Sequence, residues 1–242
     1  MRRNPVGEKG SGGCGARALA RLALAHVGVT AVTRDGRLRT EAGTDNMLTP
    51  ESPSDEDMVL PYRAMAYNNA WSNYRLLRAC AQLSQGEFTE QRTGFFPSLR
   101  ATLNHILTID RFYVDAMEGG NLGPAAWSDP EPCGTVALLQ QAQANMDRRL
   151  LAVVRNLDRS GLRRVVSVHR GHAIQHERMD RLLLHLFQHQ THHRGQAHAM
   201  ISGTSVRPPQ LDEFFSAGEA HLRADELAAL GWTEEAIWTD KD

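Results

Sequence analysis

Cysteine is scarce: three residues in 242, Cys14, Cys80 and Cys133, with no CxxC pair among them. That spacing excludes a disulfide framework and speaks against a cysteine-rich zinc site, as expected for a reducing, cytoplasmic setting. No charge excess exists either. Lys+Arg 27 stand against Asp+Glu 28, and lysine occurs only at Lys9 and Lys241. A protein that lives on phosphate contacts carries a basic surplus, so nucleic acid is not an expected partner. Long apolar runs are missing too, which argues against a membrane-spanning helix. The nearest is residues 17–33, and there Arg21 and His26 interrupt the run with no small-residue cleavage site after it. A targeting segment is therefore not expected.

What is present divides in two. Residues 1–57 are Gly- and Ser-rich with a basic first part, then carry six acidic and no basic residues from Glu41 to Asp57. This composition predicts a disordered or loosely ordered extension. Residues 58–242 predict an all-α fold, a four-helix bundle with a helical C-terminal tail. The first helix is expected over 61–84, with Tyr62, Met65, Ala66, Leu76, Leu77, Cys80 and Leu83 on one face. Asn69 and Asn73 share that face, and their expected partners are neighbouring backbone or water within the bundle. Support of a nearby site is the functional alternative. Trp71 and Tyr74 lie off the stripe, against a neighbouring element or a subunit contact. The second helix opens at Pro97 as its first residue and stops at Gly119-Gly120. A third runs over 135–157. Residues 163–176 read as a short hairpin or extended crossover around Arg170-Gly171, and the last long helix covers 177–202. Pro208-Pro209 then introduces the tail.

The chemistry lies in eleven histidines, seven of them between His169 and His193. On a helical wheel with His189 at 0°, the apolar face of the last long helix centres at about 60° and His193 falls at about 40°. His185 and His192 sit at the border, and His198 points to solvent. Only His189 and His193 combine i,i+4 spacing with an inward position, the arrangement that lets two imidazoles from successive turns share one ion. His105 faces inward among Ile109, Phe112, Tyr113 and Ala116 of the second helix. Three buried imidazoles without partners cost several kcal/mol, and a shared divalent ion offsets that cost. HExxH is absent, since His176-Glu177 is followed by Arg-Met-Asp, which excludes the common metalloprotease pattern. Arg194 and Gln196 flank the histidines, to orient them or meet an anionic substrate, or simply as solvated surface.

Three segments carry a family resemblance. Asn69-Ala70-Trp71-Ser72-Asn73-Tyr74-Arg75-Leu76-Leu77, Leu103-Asn104-His105-Ile106-Leu107 and His189-Gln190-Thr191-His192-His193-Arg194-Gly195-Gln196 resemble the DinB family over about residues 60–215. The resemblance implies a four-helix bundle holding a divalent ion, zinc or nickel, through His105, His189 and His193. It also implies a homodimer and thiol transfer or isomerisation with a low-molecular-weight thiol such as bacillithiol or mycothiol. A three-His site leaves coordination positions open, which suits activation of a thiolate or of water for hydrolysis of a small-molecule substrate. His192, with His185 as its alternative, is the expected proton shuttle at the rim. The competing expectations are a non-catalytic metal-binding stress-response protein and a helical interaction module with merely buried histidines.

Overall fold

The computed structural model describes residues 54–239. The expected extension over 1–57 therefore lies, up to residue 53, outside the described residues. The acidic run contributes a helix start instead of a linker end. Ser54 caps helix α1 (Asp55–Cys80) in a reciprocal box with Asp57, and Asp55, Glu56 and Asp57 fill the first turn, where acidic groups complement the helix dipole. The expected start at Pro61 is thus six residues late. Pro61 forfeits one backbone bond inside the helix, and the capping box lets α1 run through it.

After the short α2 (Gln85–Thr89), α3 spans Leu99–Met117. Its cap is Ser98, whose hydroxyl accepts from the Ala101 amide at 3.1 Å, so Pro97 precedes the cap and does not open the helix. Gly119, at φ 88°, closes the far end in a left-handed conformation that suits glycine. Helix α4 (Val136–Arg155), capped by Thr135, leads to α5 (Arg159–Arg163). The crossover is a hairpin of β1 (Val165–His169) and β2 (Ile174–Arg178), antiparallel with Val165 opposite Arg178 and His169 opposite Ile174. Its turn uses Gly171 at φ 87°, and alternation buries Val166 and Val168. Helix α6 (Met179–Ile201) follows directly.

The long helices α1, α3, α4 and α6 form the all-α bundle. α1 packs chiefly on α4 and α6, and α3 packs on the same two, so α3 and α6 share a long seam. Leu76, Leu107, Leu139, Leu183 and Leu186 fill the centre at 1% exposure or less, each worth about 1.5–3 kcal/mol of burial.

The tail, with α7 (Ala224–Leu230) and α8 (Glu234–Trp238), is held by two arginines. Arg75 of α1 donates to both Glu226 oxygens, to Glu213, and to the carbonyls of Gln210 and Leu222. Arg223, 1% exposed, pairs with Glu234 at 2.7 and 2.9 Å. Trp71 is fully buried between the Arg75 guanidinium and Phe214 of the tail, the neighbouring-element alternative of the two expected for it. Among the described residues, no helix is long and apolar enough to cross a membrane.

Candidate metal centre

His105 comes from α3, and His189 and His193 come from successive turns of α6. The α3–α6 seam brings them together: one ring nitrogen from each lies within 4.8 Å of the others. The Nε2 atoms of His105 and His189 are 3.0 Å apart, and the ring centroids of the three pairs are 4.4 to 5.0 Å apart. Two nitrogens bound to one tetrahedral ion at about 2.0–2.1 Å would sit about 3.3 Å apart, so the spacing suits a shared ion.

Burial sets the electrostatics. It lowers the His105 pKa to about 4, with the neighbouring His193 adding to the effect. It lowers His189 to about 3, helped by His193, His105, His185 and His192. His193 is also lowered by burial, with Gln196 opposing. All three rings are thus neutral near pH 7 and keep a lone pair to offer.

His193 has a defined orientation. Its Nδ1 lies 2.9 Å from Gln196 Oε1, which accepts the Nδ1 proton and leaves Nε2 bare. The same amide's Nε2 lies 3.0 Å from His192 Nε2. Gln196 therefore ties the inner His193 to the exposed His192, and surface solvation does not describe it. His189 has no such support: its Nδ1 is buried without a hydrogen-bond partner. His185 is exposed and stacks edge-on against Tyr113, with its ring 6.4 Å from that of His189. His198 does not point to solvent. It is half-buried, with Nε2 2.9 Å from the Pro209 carbonyl of the tail.

Aromatic side chains from the α2–α3 loop complete the surroundings. Phe96 lies 4.4 Å from the His105 ring and 5.5 Å from His193, while Phe95 beside it is 79% exposed. Neither stands out by helical periodicity, because both precede the helix. Asn104, next to His105, exchanges two hydrogen bonds with the Cys133 backbone at 2.9 and 3.0 Å, which fixes α3 against the loop before α4.

A second polar cluster lies behind the histidines. Arg194, immediately after His193, is 5% exposed and donates to the Oδ1 atoms of Asn69 and Asn73. The amides of those two residues donate to Asp147 Oδ1 at 3.4 and 2.9 Å. The expectation that Asn69 and Asn73 bond local backbone or water is therefore corrected: they bridge α1 to α4 and α6. Gln143 donates to Asp147 at 3.1 Å and to Asp110 at 2.7 Å, and Gln190, immediately after His189, donates to Asp110. Burial, then the charge of Asp147, holds Asp110 up at about 8; burial holds Asp147 at about 7 against its amide donors and Arg194. Arg194 is itself brought down to about 10 by burial. The residue after each of His189 and His193 is thus anchored in the core, which sets the rotation of α6 and the direction of both imidazoles.

The DinB family model matches residues 57–225. A DinB-like protein from Bacillus cereus ATCC 10987 has a similar solved structure, with a TM-score of 0.50 at 13% identity, covering 65% of this chain and 97% of that one. At that identity the likeness speaks for the fold alone. No curated protein sequence matches the chain.

Proposed function

The chain belongs to the DinB family, and on that premise we propose that it is a metal-dependent enzyme acting on a small molecule. His105, His189 and His193 would hold a divalent ion, zinc or nickel by their donor chemistry. The observation that carries this reading is the convergence of three neutral imidazole nitrogens from two helices within 4.8 Å. When bound, such an ion supplies Lewis acidity, which lowers the pKa of a water or thiol beside it.

The protein's own contributions come from its side chains. Gln196 keeps the proton of His193 on Nδ1, so that Nε2 faces inward. Arg194 and Gln190 hold α6 in register, and Phe96 covers one side of the cluster from water. His192, exposed and linked to His193 through Gln196, would exchange protons with solvent. Thiol transfer from a low-molecular-weight thiol and hydrolysis are the two reactions this chemistry serves. A homodimer in the cytoplasm belongs to the same proposal, and light scattering on the purified chain tests its stoichiometry.

The decisive experiment is metal content by plasma mass spectrometry on tag-free protein, beside the His105→Ala/His193→Ala variant. About one ion per chain, lost in the variant, supports the reading and directs a screen of thiols with small electrophiles. No ion, and none taken up after incubation with zinc or nickel, overturns it. One ion in a closed coordination sphere, with the fold lost on chelation, favours the non-catalytic metal-binding protein instead.

A further inference from the structure

Asp147 has a side that the buried network leaves unused. Its Oδ1 already accepts from Asn69, Asn73 and Gln143. Its Oδ2 accepts no hydrogen bond among the described residues, is not sealed among the partnerless buried atoms, and belongs to a residue lining the cleft between α1, α4 and α7. Asp147 is 7% exposed, so this oxygen is the small accessible part of an otherwise buried carboxyl. The cleft has a volume of about 620 Å³, well inside the range of small-molecule sites, about 300–1,000 Å³. Its wall is largely apolar, from Ala70, Leu77, Ala144 and Leu151, with the rings of Tyr74 and Trp232. None of these residues belongs to the histidine cluster.

Charge selects the occupant. Asp110, Asp147 and Arg194 are buried together, two carboxyls against one guanidinium. The second carboxyl must keep its proton or meet another cation. Asp147 carries the carboxyl group of the cleft wall among the described residues, and Oδ2 is its oxygen left for a cation. An anion would meet a carboxylate there, and an aliphatic neutral ligand would leave the oxygen unpartnered. Arg148, the basic side chain on the wall, is exposed and directs its guanidinium to Asn145 Oδ1. We propose that this cleft binds an organic ammonium ion with an apolar body, its N–H groups donating to Asp147 Oδ2 and its body lying along the wall beside Tyr74 and Trp232. Aromatic rings near an ammonium group add a cation–π attraction to the charged hydrogen bond.

The test is calorimetric titration of the full, metal-free chain at mildly alkaline pH with n-hexylamine as the charged probe and 1-hexanol as its neutral counterpart. Saturable binding of the amine, tighter than the alcohol by about tenfold or more, is expected from one charge-assisted hydrogen bond. Asp147→Asn should erase that difference. Ala144→Phe, at an exposed position of α4 on the cleft wall, should weaken both probes, and His189→Ala should weaken neither. Equal affinity for amine and alcohol, no saturable binding, or amine binding lost in His189→Ala but intact in Ala144→Phe would each overturn the assignment. Should Asp147→Asn fail to fold, the two remaining variants still decide it.

Discussion

The bundle holds two polar clusters a few residues apart on α6, and they solve burial in opposite ways. Asn69, Asn73, Asp110, Gln143, Asp147, Gln190 and Arg194 come from all four long helices and give most of their donors and acceptors to one another. The histidine cluster does not satisfy itself. Its rings are neutral, His105 and His189 share one Nε2 to Nε2 hydrogen bond at 3.0 Å, and His189 Nδ1 is buried without a partner among the described residues. One cluster satisfies itself except at Gln190 Oε1 and Asp147 Oδ2, and acts as a clamp. The other collects lone pairs that only an added cation uses in full, which is the physical signature of a binding site in a folded core.

The contrast breaks most severely at Arg194. Arg194→Leu leaves two buried carboxyls and two asparagine oxygens without their cation, and it should cost about 3–5 kcal/mol of stability, read by urea unfolding of the metal-free protein. The matching change in the other cluster should behave differently. His189→Ala should leave metal-free stability within about 1 kcal/mol of the parent, because it removes a ring with an unpartnered buried nitrogen. Its loss should appear in metal affinity, which is expected to fall by more than about 100-fold, a larger drop than the removal of a group that only orients a ligand would cause. If His189→Ala destabilises the metal-free chain as much as Arg194→Leu, the two clusters are not different in kind.

The histidine cluster was legible in the sequence and the clamp was not. His105, His189 and His193 each fall on an apolar face of a single helix, so a wheel for each helix finds them without knowledge of packing. Asp110 escapes that reading because α3 is buried on two sides, against α4 and α6, and one apolar stripe does not define its inside. Gln143 and Asp147 interrupt the stripe of α4 at i,i+4, a pattern equally suited to a solvated edge. Only the approach of Asn69, Asn73 and Asp110 from other helices makes them core. The two helix starts were missed for local reasons: Ser54 caps α1 well before residue 61, and Ser98, one residue after Pro97, takes the cap of α3, which leaves the proline outside the helix. His198 turned inward because the tail returns over α6, a long-range packing event with no local sign.

Gln196 joins the two regions at a smaller scale. Gln196→Ala removes the acceptor that holds His193 Nδ1–H and unties His192. Metal affinity should drop by about 10- to 100-fold with the fold intact, read by competition with a chromogenic chelator. Gln196→Glu keeps the acceptor and should recover most of the affinity. An unchanged affinity in Gln196→Ala would show that the ring is oriented by Phe96 and α3 packing alone.

The smallest expected effect is on pH dependence, and there the two clusters pull in opposite directions. Asp110 and Asp147 have folded-state pKa values raised to about 8 and about 7 from 3.8. The folded protein therefore holds protons that the unfolded chain releases, and stability from this cluster is lost as pH rises toward the folded values. The histidines are lowered from 6.5, to about 4 for His105 and about 3 for His189. Below pH 6.5 the unfolded chain takes up protons that the folded rings refuse, so their contribution is lost as pH falls. The two effects oppose each other in mild acid. Between pH 7 and 8 the folded histidines are neutral and the unfolded ones keep only a minority of their protons, a smaller opposing effect, so the carboxyls dominate. Metal-free protein should lose about 1 kcal/mol of stability over that unit, close to the limit of about 1.4 kcal/mol for one proton per pH unit. Asp110→Asn should flatten the slope, while His189→Ala should leave it in place. A parent slope of the opposite sign would mean that both carboxyls are ionised in the folded core, with more positive charge around them than Arg194 provides.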